Sequence, residues 1–392
     1  MTQKVDVLII GGGLVGRVLA HSLVLRNISV GLVDQEAHGA QLMQENDGRT
    51  TAVNYGSQQF LESLGLWETA APYAEPIWDI RVFEHGFSWT VDYNHQDIGP
   101  NPMGYIVENY YLRQAFHKED TTGLLHIFAP DSLAEHKILP HAIEATLSSG
   151  QKIMASLLVG AEGRFSPTRK QSSIRTHMRD YNQTVLVTHV LHEKPHKGTA
   201  WEVFMSTGPL AFLPMKNCPQ TGAPQSGIVW AKERHYAWDT FSNSDLEAEL
   251  AQLFPFYGNL TINNKRWTYD LMGLSVSDSI DTRFALVGDA AHVMHPIAGQ
   301  GVNLGWRDVA SLTTVLDEAK QLGLDLGGFD VLTRYNQSRK KDHRLALAVT
   351  HGIYRLFSNN SSLLAFARNA GFGIVNNLTP LKKFLMKKAM GV

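Results

Sequence analysis

The chain has 392 residues and a formal net charge of −2, with 44% hydrophobic and 18% charged residues. This composition favours a folded chain with a sizeable core, and it offers no basic face for nucleic acid. Cys218 is the single cysteine, which excludes a disulfide framework, a thiolate metal site and a two-cysteine redox centre. The length suits two or three domains. We see no signal peptide, because an apolar strand already begins at Val5, and no apolar run reaches the ~18 residues of a membrane span. We therefore expect a cytoplasmic protein.

The chain begins with a predicted strand, a glycine-rich turn, a helix and a second strand. The predicted ranges are residues 5–10, 14–26 and 28–33. The turn has the spacing Gly11-x-Gly13-x-x-Gly16, and Asp34 ends the second strand. In this context the glycines permit a tight turn and close approach of a pyrophosphate, which the helix N-terminus stabilises. Asp34 would accept hydrogen bonds from adenosine ribose hydroxyls. The alternative is a strand–helix–strand unit whose turn is only structural.

Two later apolar strands, predicted over residues 156–159 and 284–287, each run into a glycine turn. The nucleotide-binding domain would therefore draw its strands from three separate parts of the chain. The segments between them alternate apolar and polar residues, which is typical of antiparallel strands. The sequence predicts an α/β fold class: a Rossmann-like nucleotide-binding domain, an inserted, mostly antiparallel β-sheet domain and a helical C-terminal region. The predicted boundaries are 1–75, 108–175 and 281–328 for the nucleotide-binding domain, 76–107 and 176–280 for the sheet domain, and 329–392 for the helical region.

The richest motif follows the third of these strands. Gly288 and Asp289 come directly after the strand, where a short carboxylate can accept a hydroxyl hydrogen bond or, alternatively, cap the following turn. Gly299 and Gly301 follow further along the same segment. Together with Asn303, they lead into a segment with apolar residues at helical spacing.

This motif resembles the FAD-dependent aromatic hydroxylases related to p-hydroxybenzoate hydroxylase, and more closely the ubiquinone-biosynthesis hydroxylases. Stretches towards the C-terminus are similar to the ubiquinone-type branch, of the 2-polyprenyl-6-methoxyphenol hydroxylase type. These stretches are residues 335–343, 356–359, 368–371 and 387–391. With the glycine turn, the likeness spans essentially the whole chain. The resemblance implies that the Rossmann-like domain binds FAD and that the inserted sheet binds the substrate.

The resemblance also implies roles for individual residues. Asp289 would bind the ribityl chain of FAD, and the helix after Asn303 would point its N-terminus at the pyrimidine end of the isoalloxazine ring, where it stabilises the reduced anion. Pro296 and Gly301 would border the reaction site. No catalytic side chain is implied, because the flavin carries the chemistry. The implied cofactor-binding residues are Gly11, Gly13, Gly16, Asp34, Arg49, Asn109, Arg113, Gly163, Gly288, Asp289, Pro296, Gly299, Gly301 and Asn303.

Some of these matches leave alternatives open. Gly163 belongs to a family fingerprint implicated in FAD and NAD(P)H binding, in which Glu162 stands where aspartate is usual. Arg49 matches an arginine near the FAD diphosphate. Asn109 matches a flavin contact more loosely, and Arg113 competes for that place but equally suits the surface.

Two histidines and one short segment have a structural interpretation beside a functional one. His292 and His295 have no acid partner and no metal-ligand spacing in the sequence, so we interpret them as structural neighbours of the flavin and predict no metal site. Residues 208–215 would form either a wall of the substrate pocket or plain core packing.

The resemblance implies an FAD-dependent monooxygenase in which NADH or NADPH reduces the flavin and O2 then hydroxylates an electron-rich phenol. The leading substrate is a polyprenylated phenol such as 2-polyprenyl-6-methoxyphenol. The alternatives are a sibling hydroxylase for another ring position, a small-aromatic hydroxylase, and a flavin-dependent reductase that uses no oxygen. A non-enzymatic nucleotide-binding protein is a remote alternative. No nucleic acid partner is expected.

The C-terminal stretch predicts an amphipathic helix. Its apolar positions are Ile374, Leu378, Leu381 and Leu385, and its lysines are Lys382, Lys383, Lys387 and Lys388. Such a helix could lie on the inner face of an anionic membrane, because the substrate would carry a long isoprenoid tail. It could equally pack on the protein's own core, or dock onto a protein of the ubiquinone pathway.

Overall fold

The computed structural model describes residues 2–43, 47–86, 90–236, 238–263, 265–357, 376 and 378–392. The resembling stretch 368–371, part of 356–359, and Ile374 lie outside the described residues. The α-helices are α1 (Gly16–Val24), α2 (Ala40–Met43), α3 (Tyr55–Ser63), α4 (Asn109–Phe116), α5 (Pro167–Lys170), α6 (Asn243–Leu253), α7 (Gly301–Gln321), α8 (Phe329–Phe357) and α9 (Thr379–Met390).

The β-strands supply three sheets. They are β1 (Gln3–Ile10), β2 (Val30–Val33), β3 (Thr50–Asn54), β4 (Glu75–Ile77), β5 (Asp79–Glu84), β6 (Thr90–Asn94), β7 (Gly104–Glu108), β8 (Leu125–Phe128), β9 (Leu133–Ile138), β10 (Ile143–Leu147), β11 (Lys152–Gly160), β12 (Thr176–His192), β13 (Thr199–Phe204), β14 (Leu210–Met215), β15 (Gln225–Glu233), β16 (Leu260–Ile262), β17 (Trp267–Val276), β18 (Ile280–Asp281), β19 (Phe284–Leu286) and β20 (His292–Val293).

The first sheet has the strand order β18-β19-β11-β1-β2-β8, with β10 and β9 continuing from β11. Strands β19, β11, β1, β2 and β8 run parallel. Val7 and Ile9 pack into one core beneath α1 and α7, whereas Leu8 and Ile10 pack into a second core on the opposite face. This two-sided burial explains why β1 reads as a continuous apolar run rather than an alternating one.

The second sheet has the order β20-β17-β12-β15-β14-β13-β5-β6, with β16 paired to β12. Its described pairs are antiparallel except for β13 with β5. One face packs against α6 around Phe212, Trp230 and Phe254. The opposite face, here called the inner face, packs Ala200 and Met215 towards the small sheet β3-β7-β4.

The α/β fold class predicted from the sequence is confirmed, including the mostly antiparallel second sheet and the helical character of α8 and α9. The predicted helix after Asn303 is also confirmed, as α7. The division into domains at the predicted boundaries stays a prediction. Among the described helices, none has both the length and the apolar character required to cross a membrane.

The motif predicted around Gly288 connects the two large sheets. Strand β19 pairs with β11 in the first sheet, and β20 pairs with β17 in the second, with Val293 opposite Leu274. Only residues 287–291 separate β19 from β20. The two sheets are therefore fixed relative to each other at this motif.

A buried carboxylate holds this connection in place. Asp308 of α7 has an exposed fraction of 0%. Its Oδ2 accepts from the Gly288 backbone N–H at 3.0 Å and from His292 Nε2 at 2.6 Å. Its Oδ1 accepts from Arg339 Nε at 2.8 Å and from His343 Nε2 at 2.6 Å. One side chain thereby joins α7, α8 and the segment between the two sheets.

The C-terminal helix α9 reaches the loop that precedes α7. Met386 and Met390 are buried against Met103, and Gln300 Nε2 donates to the Ala389 carbonyl oxygen at 3.3 Å. The end of α9 therefore lies beside the predicted reaction site.

We predict that Asp308→Asn lowers the free energy of unfolding by about 3–5 kcal/mol, because the buried histidine and arginine side chains lose the carboxylate that they share. Burial raises the pKa of Asp308, but the charges and hydrogen bonds of His292 and His343 outweigh it and hold that pKa well below its ordinary value. An acid with a depressed pKa stabilises the folded state above its unfolded pKa, and that stabilisation is lost as pH falls through the folded pKa.

Urea unfolding at neutral and acidic pH measures this effect, and the difference between the two proteins should shrink towards low pH. Asp342→Asn is the matched control, because Asp342 contacts the same Arg339 from a partly exposed position and should cost less than about 1 kcal/mol. Equal losses for the two variants would contradict the role given to Asp308.

Candidate cofactor site and reaction site

The glycine turn between β1 and α1 is shaped by close backbone contacts. A Cβ on Gly11, which has a φ of +107°, would lie 2.6 Å from the Ala161 carbonyl carbon, and one on Gly16 would lie 1.9 Å from the Gly11 oxygen. Side chains are therefore excluded at both positions by the protein itself. Gly13 differs, because a Cβ there would meet no atom within 4 Å. The open space before the N-terminus of α1 is therefore at Gly13, where free N–H groups can receive an anion.

Asp34 lies directly against this turn. A Cβ on Gly12 would fall 2.2 Å from Asp34 Oδ2, and Asp34 Oδ1 accepts from the Glu36 backbone N–H at 3.2 Å. Burial raises the pKa of Asp34, while the charge of Arg17 opposes that shift. Arg17 is itself buried and donates from Nε to the Gly12 oxygen at 2.9 Å. Arg17 was not among the site residues predicted from the sequence, although its position in the first turn of the helix after the glycine turn was visible there.

Asp289 presents an open carboxylate at the end of β19. The residue is exposed, and its side chain makes no hydrogen bond or ion pair with the described part of the chain. Surrounding protein nevertheless raises the pKa of Asp289 through desolvation, and the charges of His292, Arg164 and Arg49 lower it. No capping hydrogen bond is made by this side chain in the turn Gly288–Ala290, so the capping alternative is not realised. The carboxylate is thus available to a ligand hydroxyl.

Two arginines surround Asp47 near the same opening. Arg49 Nε donates to Asp47 Oδ2 at 2.8 Å, and Arg113 Nη1 lies 3.5 Å from that oxygen. Only 11% of the Arg113 side chain is exposed, so it is not a surface residue. Its Nε and Nη2 are buried and have no acceptor in the described structure. Because unpaired buried donors are costly, a ligand with several acceptor oxygens would satisfy them.

Asn109 and Asn303 are already engaged by protein groups. Asn109 Oδ1 accepts from Thr51 Oγ1 at 2.7 Å. Asn303 Nδ2 donates to the Ala52 oxygen at 2.7 Å, and Asn303 Oδ1 accepts from the Asn54 backbone N–H at 3.0 Å. These amides fasten α4 and α7 to strand β3, so their side chains position the site rather than stand open in it.

The loop between Pro296 and Gly301 forms the predicted reaction site. A Cβ on Gly299, which has a φ of +60°, would lie 3.0 Å from Ala52 Cβ, whereas one on Gly301 would meet nothing within 4 Å. Helix α7 begins at Gly301 and has no side-chain cap. Its first N–H groups therefore face open space with the positive end of the helix dipole.

His295 fixes this loop to the inner face of the second sheet. Its Nε2 donates to Gln183 Oε1 at 2.9 Å, and burial lowers the pKa of His295 to about 4. His295 is therefore neutral at physiological pH, and its contact with Gln183 is a neutral hydrogen bond. This geometry agrees with the structural interpretation of His295 and gives it no role as a base.

Glu162, the departure from the family fingerprint, has a local role. Its Oε2 accepts from Ser166 Oγ at 2.6 Å and from the Thr168 backbone N–H at 3.1 Å. The carboxylate therefore satisfies the start of α5. Neighbouring Gly163 has a φ of +77° and free space where a Cβ would be.

The sequence premise that His292 lacks an acid partner is wrong, because Asp308 lies 16 residues downstream and is brought to it by the fold. Ligand atoms of His292, Asp308 and His343 lie within 4.8 Å of one another, as a metal site would require. Arg339 also donates to Asp308, however, and a guanidinium beside the carboxylate repels a cation. We interpret the cluster as an internal ion network.

These features together fit FAD. The open space at Gly13 suits the pyrophosphate, Asp34 suits the adenosine ribose, and the unpartnered Asp289 suits the ribityl hydroxyls. The open N-terminus of α7 at Gly301 suits the electron-rich end of a flat ring. Close packing, rather than contact with a cofactor, explains three other glycines: Gly11, Gly16 and Gly288. A Cβ on Gly288, for example, would lie 3.0 Å from Val15 Cγ2.

Comparison with known proteins agrees with this geometry. The FAD binding domain family matches residues 4–347. Ubiquinone hydroxylase UbiL of Rhodospirillum rubrum is 39% identical, over 98% of this chain and 89% of its own length. The 3-demethoxyubiquinol 3-hydroxylase of Escherichia coli is 30% identical, over 100% of this chain and 99% of its own length.

A solved structure supports the fold alone. The p-nitrophenol 4-monooxygenase PnpA of Pseudomonas putida has a TM-score of 0.79 at 16% identity, covering 99% of both chains. The same arrangement of sheets therefore persists at low sequence identity.

We predict that Asp289→Ala weakens FAD binding about tenfold or more, because a charge-assisted hydrogen bond of roughly 1.5–3 kcal/mol is lost. FAD titration of the apoprotein by flavin fluorescence measures the dissociation constant. Asp289→Asn keeps an acceptor oxygen and should lose less. Asp92→Ala is the surface control, since Asp92 is exposed on β6. An unchanged dissociation constant in Asp289→Ala would contradict the assignment.

Proposed function

The chain belongs to the FAD-binding family that includes the ubiquinone hydroxylases, and we propose that it hydroxylates the ring of a polyprenylated phenol in ubiquinone biosynthesis. The cofactor is FAD, the electron donor is NADH or NADPH, and O2 is the second substrate. Two relatives with at least 30% identity over nearly the whole chain support this reaction. The observation that carries it is the open Asp289 carboxylate, placed where β19 and β20 join the cofactor sheet to the inner face.

Bound and reduced FAD supplies activated oxygen to the phenol ring. The protein contributes binding and electrostatics. The N-terminus of α1 at Gly13 binds the pyrophosphate, and Asp34 and Asp289 accept from hydroxyl groups. The free N–H groups of α7 at Gly301 stabilise negative charge on the reduced ring.

Residues of the inner face supply a dry wall for the aromatic substrate. Of the segment left open between pocket wall and core, Leu210 and Phe212 belong to the core on the far face. Leu213 and Met215 belong to the inner-face cluster that includes Ala52. Alternate positions of the segment therefore pack on opposite faces of the sheet, as expected of a strand. An apolar wall excludes water from the reaction. The position hydroxylated on the ring stays open between sibling reactions.

The test is to measure NADPH oxidation and O2 uptake by the FAD-loaded enzyme with a short-chain prenylated phenol. We expect the phenol to stimulate both rates and to appear as a hydroxylated product. The methyl ether of the same phenol is the control, because its oxygen cannot be deprotonated and its ring is less reactive. Phenol-dependent NADPH oxidation that proceeds without O2 would favour the flavin-dependent reductase and would contradict the proposal.

We further propose that α9 brings the enzyme to an anionic membrane surface. Leu381 and Phe384 are exposed, and Lys383, Lys387 and Lys388 are exposed on the same helix. Such lysines contribute about 1 kcal/mol each near an anionic surface. Met386 and Met390 instead anchor the helix to the protein, so α9 has both a core-packed side and a free apolar side.

The double variant L381S and F384S should float less with vesicles containing anionic phospholipid, while activity on a water-soluble phenol stays unchanged. Leu322→Ser is the control, because Leu322 is 70% exposed beyond the end of α7. Flotation of the wild-type protein should fall with added salt. Failure of the wild-type protein to float, or equal flotation of the double variant, would rule out this surface and leave docking onto a pathway protein.

A further inference from the structure

Glu202 of β13 carries a carboxyl group on the inner face. Along β13, Val203 and Trp201 pack into the core on the far face, whereas Ala200 packs into the inner-face cluster. Because side chains alternate along a strand, Glu202 points to the same side as Ala200. Glu202 makes no hydrogen bond or ion pair with the described residues.

The strand partners of Glu202 are apolar, and a buried glutamate, Glu84 of β5, lies opposite Phe204 on the same face. Val82 and Ala211 are its partners on the neighbouring strands, and Phe204, the next inner-face residue of β13, stacks on Phe357 of α8 at 3.8 Å. Glu202 is half-buried, so the residue is not sealed in the core. Desolvation raises the pKa of Glu202 to about 8. A desolvated carboxyl without a hydrogen-bond partner costs stability, and such groups concentrate at functional sites.

Glu202 lies close to the reaction loop. Ala200 shares a cluster with Ala52, and a Cβ on Gly299 would lie 3.0 Å from Ala52 Cβ. Glu202 is two residues beyond Ala200, which is roughly 7 Å along a strand. The loop from Pro296 to Gly301 and Glu202 therefore lie on the same side of the second sheet.

We propose that Glu202 is a catalytic residue that accepts the hydroxyl proton of the phenol as the ring lies between the reaction loop and the inner face. This inference rests on the proposed hydroxylation.

Glu202 takes one proton from the phenol and later returns it. The carboxylate of Glu202 takes the phenol proton as the O–H bond breaks, and the oxygen lone pair moves into the ring. The ring carbon ortho or para to that oxygen forms a C–O bond with a hydroxyl oxygen that reduced FAD and O2 would supply. This oxygen keeps its hydrogen, and its previous bond breaks with the electron pair left on the group it leaves, which later takes up the proton released to water. The ring then loses its C–H proton to water, and the carboxylic acid of Glu202 returns a proton to the first oxygen. Glu202 ends as a carboxylate, and the product is a dihydroxylated ring.

Glu202→Gln tests this role, because the amide is isosteric but cannot take the proton. We expect kcat to fall by about 10²- to 10⁴-fold with FAD content unchanged. In the wild-type enzyme, kcat should rise with pH through about 8, where the Glu202 pKa lies, and that rise should be absent in the variant. Glu233→Gln is the matched control, because Glu233 is an exposed glutamate on β15 of the same sheet.

Two further readouts separate catalysis from structure. A fluorinated phenol that is already ionised at the assay pH should restore much of the lost kcat, because it needs no base. The free energy of unfolding supplies a readout that does not depend on activity. Because the pKa of Glu202 is raised in the folded protein, the wild-type free energy of unfolding should fall as pH rises from the ordinary glutamate pKa through about 8. Glu202→Gln should lack that fall.

The results of these experiments separate a failure of the role given to Glu202 from a failure of the proposed hydroxylation. Wild-type kcat and an unchanged pH profile in Glu202→Gln would overturn the proposal. So would a loss of activity that the ionised phenol does not restore, since that result indicates a structural role. If the wild-type enzyme hydroxylates no phenol, the proposed function fails and the inference about Glu202 fails with it.

Discussion

The four donors on the Asp308 carboxylate are the contact on which the rest of the site depends. They come from the backbone of Gly288, from His292, and from Arg339 and His343 of α8. Removing the carboxylate would break the hydrogen bonds that join Gly288 and His292 to α7 and α8. Because all four donors are satisfied by one buried acid, the network supports the site without competing for a ligand.

Because this network holds the elements of the site together, other polar groups of the site can remain without hydrogen-bond partners. The carboxylates of Asp289 and Glu202 and the buried donors of Arg113 have no partners in the described structure beyond the ion pair of Arg113 with Asp47. Where such groups are buried, they lower the stability of the fold unless a ligand provides their hydrogen-bond partners. The two carboxylates lie on different sheets, with Asp289 at the end of β19 and Glu202 on the inner face of the second sheet.

Local motifs could be predicted from the sequence, whereas long-range pairings could not. The glycine turn, the apolar run of β1 and the carboxylate of Asp289 depend on adjacent residues, so a single sequence displays them. The pairing of His292 with His343 through Asp308 depends on how α7 packs against α8. In the sequence, Glu202 looks like any polar residue of an alternating strand. The face of the sheet on which it lies, and its lack of a hydrogen-bond partner, depend on the packing of β14, β5 and α8 around it. Asn303 was predicted as a ligand contact, but its amide is used by β3.

The short passage from β19 to β20 also determines how the molecule can move. The chain leaves one sheet and enters the other within residues 287–291, and it crosses between the same sheets over residues 277–279, from β17 to β18. Displacement about a fixed point grows with distance from it. Any rocking of the second sheet is therefore smallest beside these two crossings and largest at its far edge, β5 and β6.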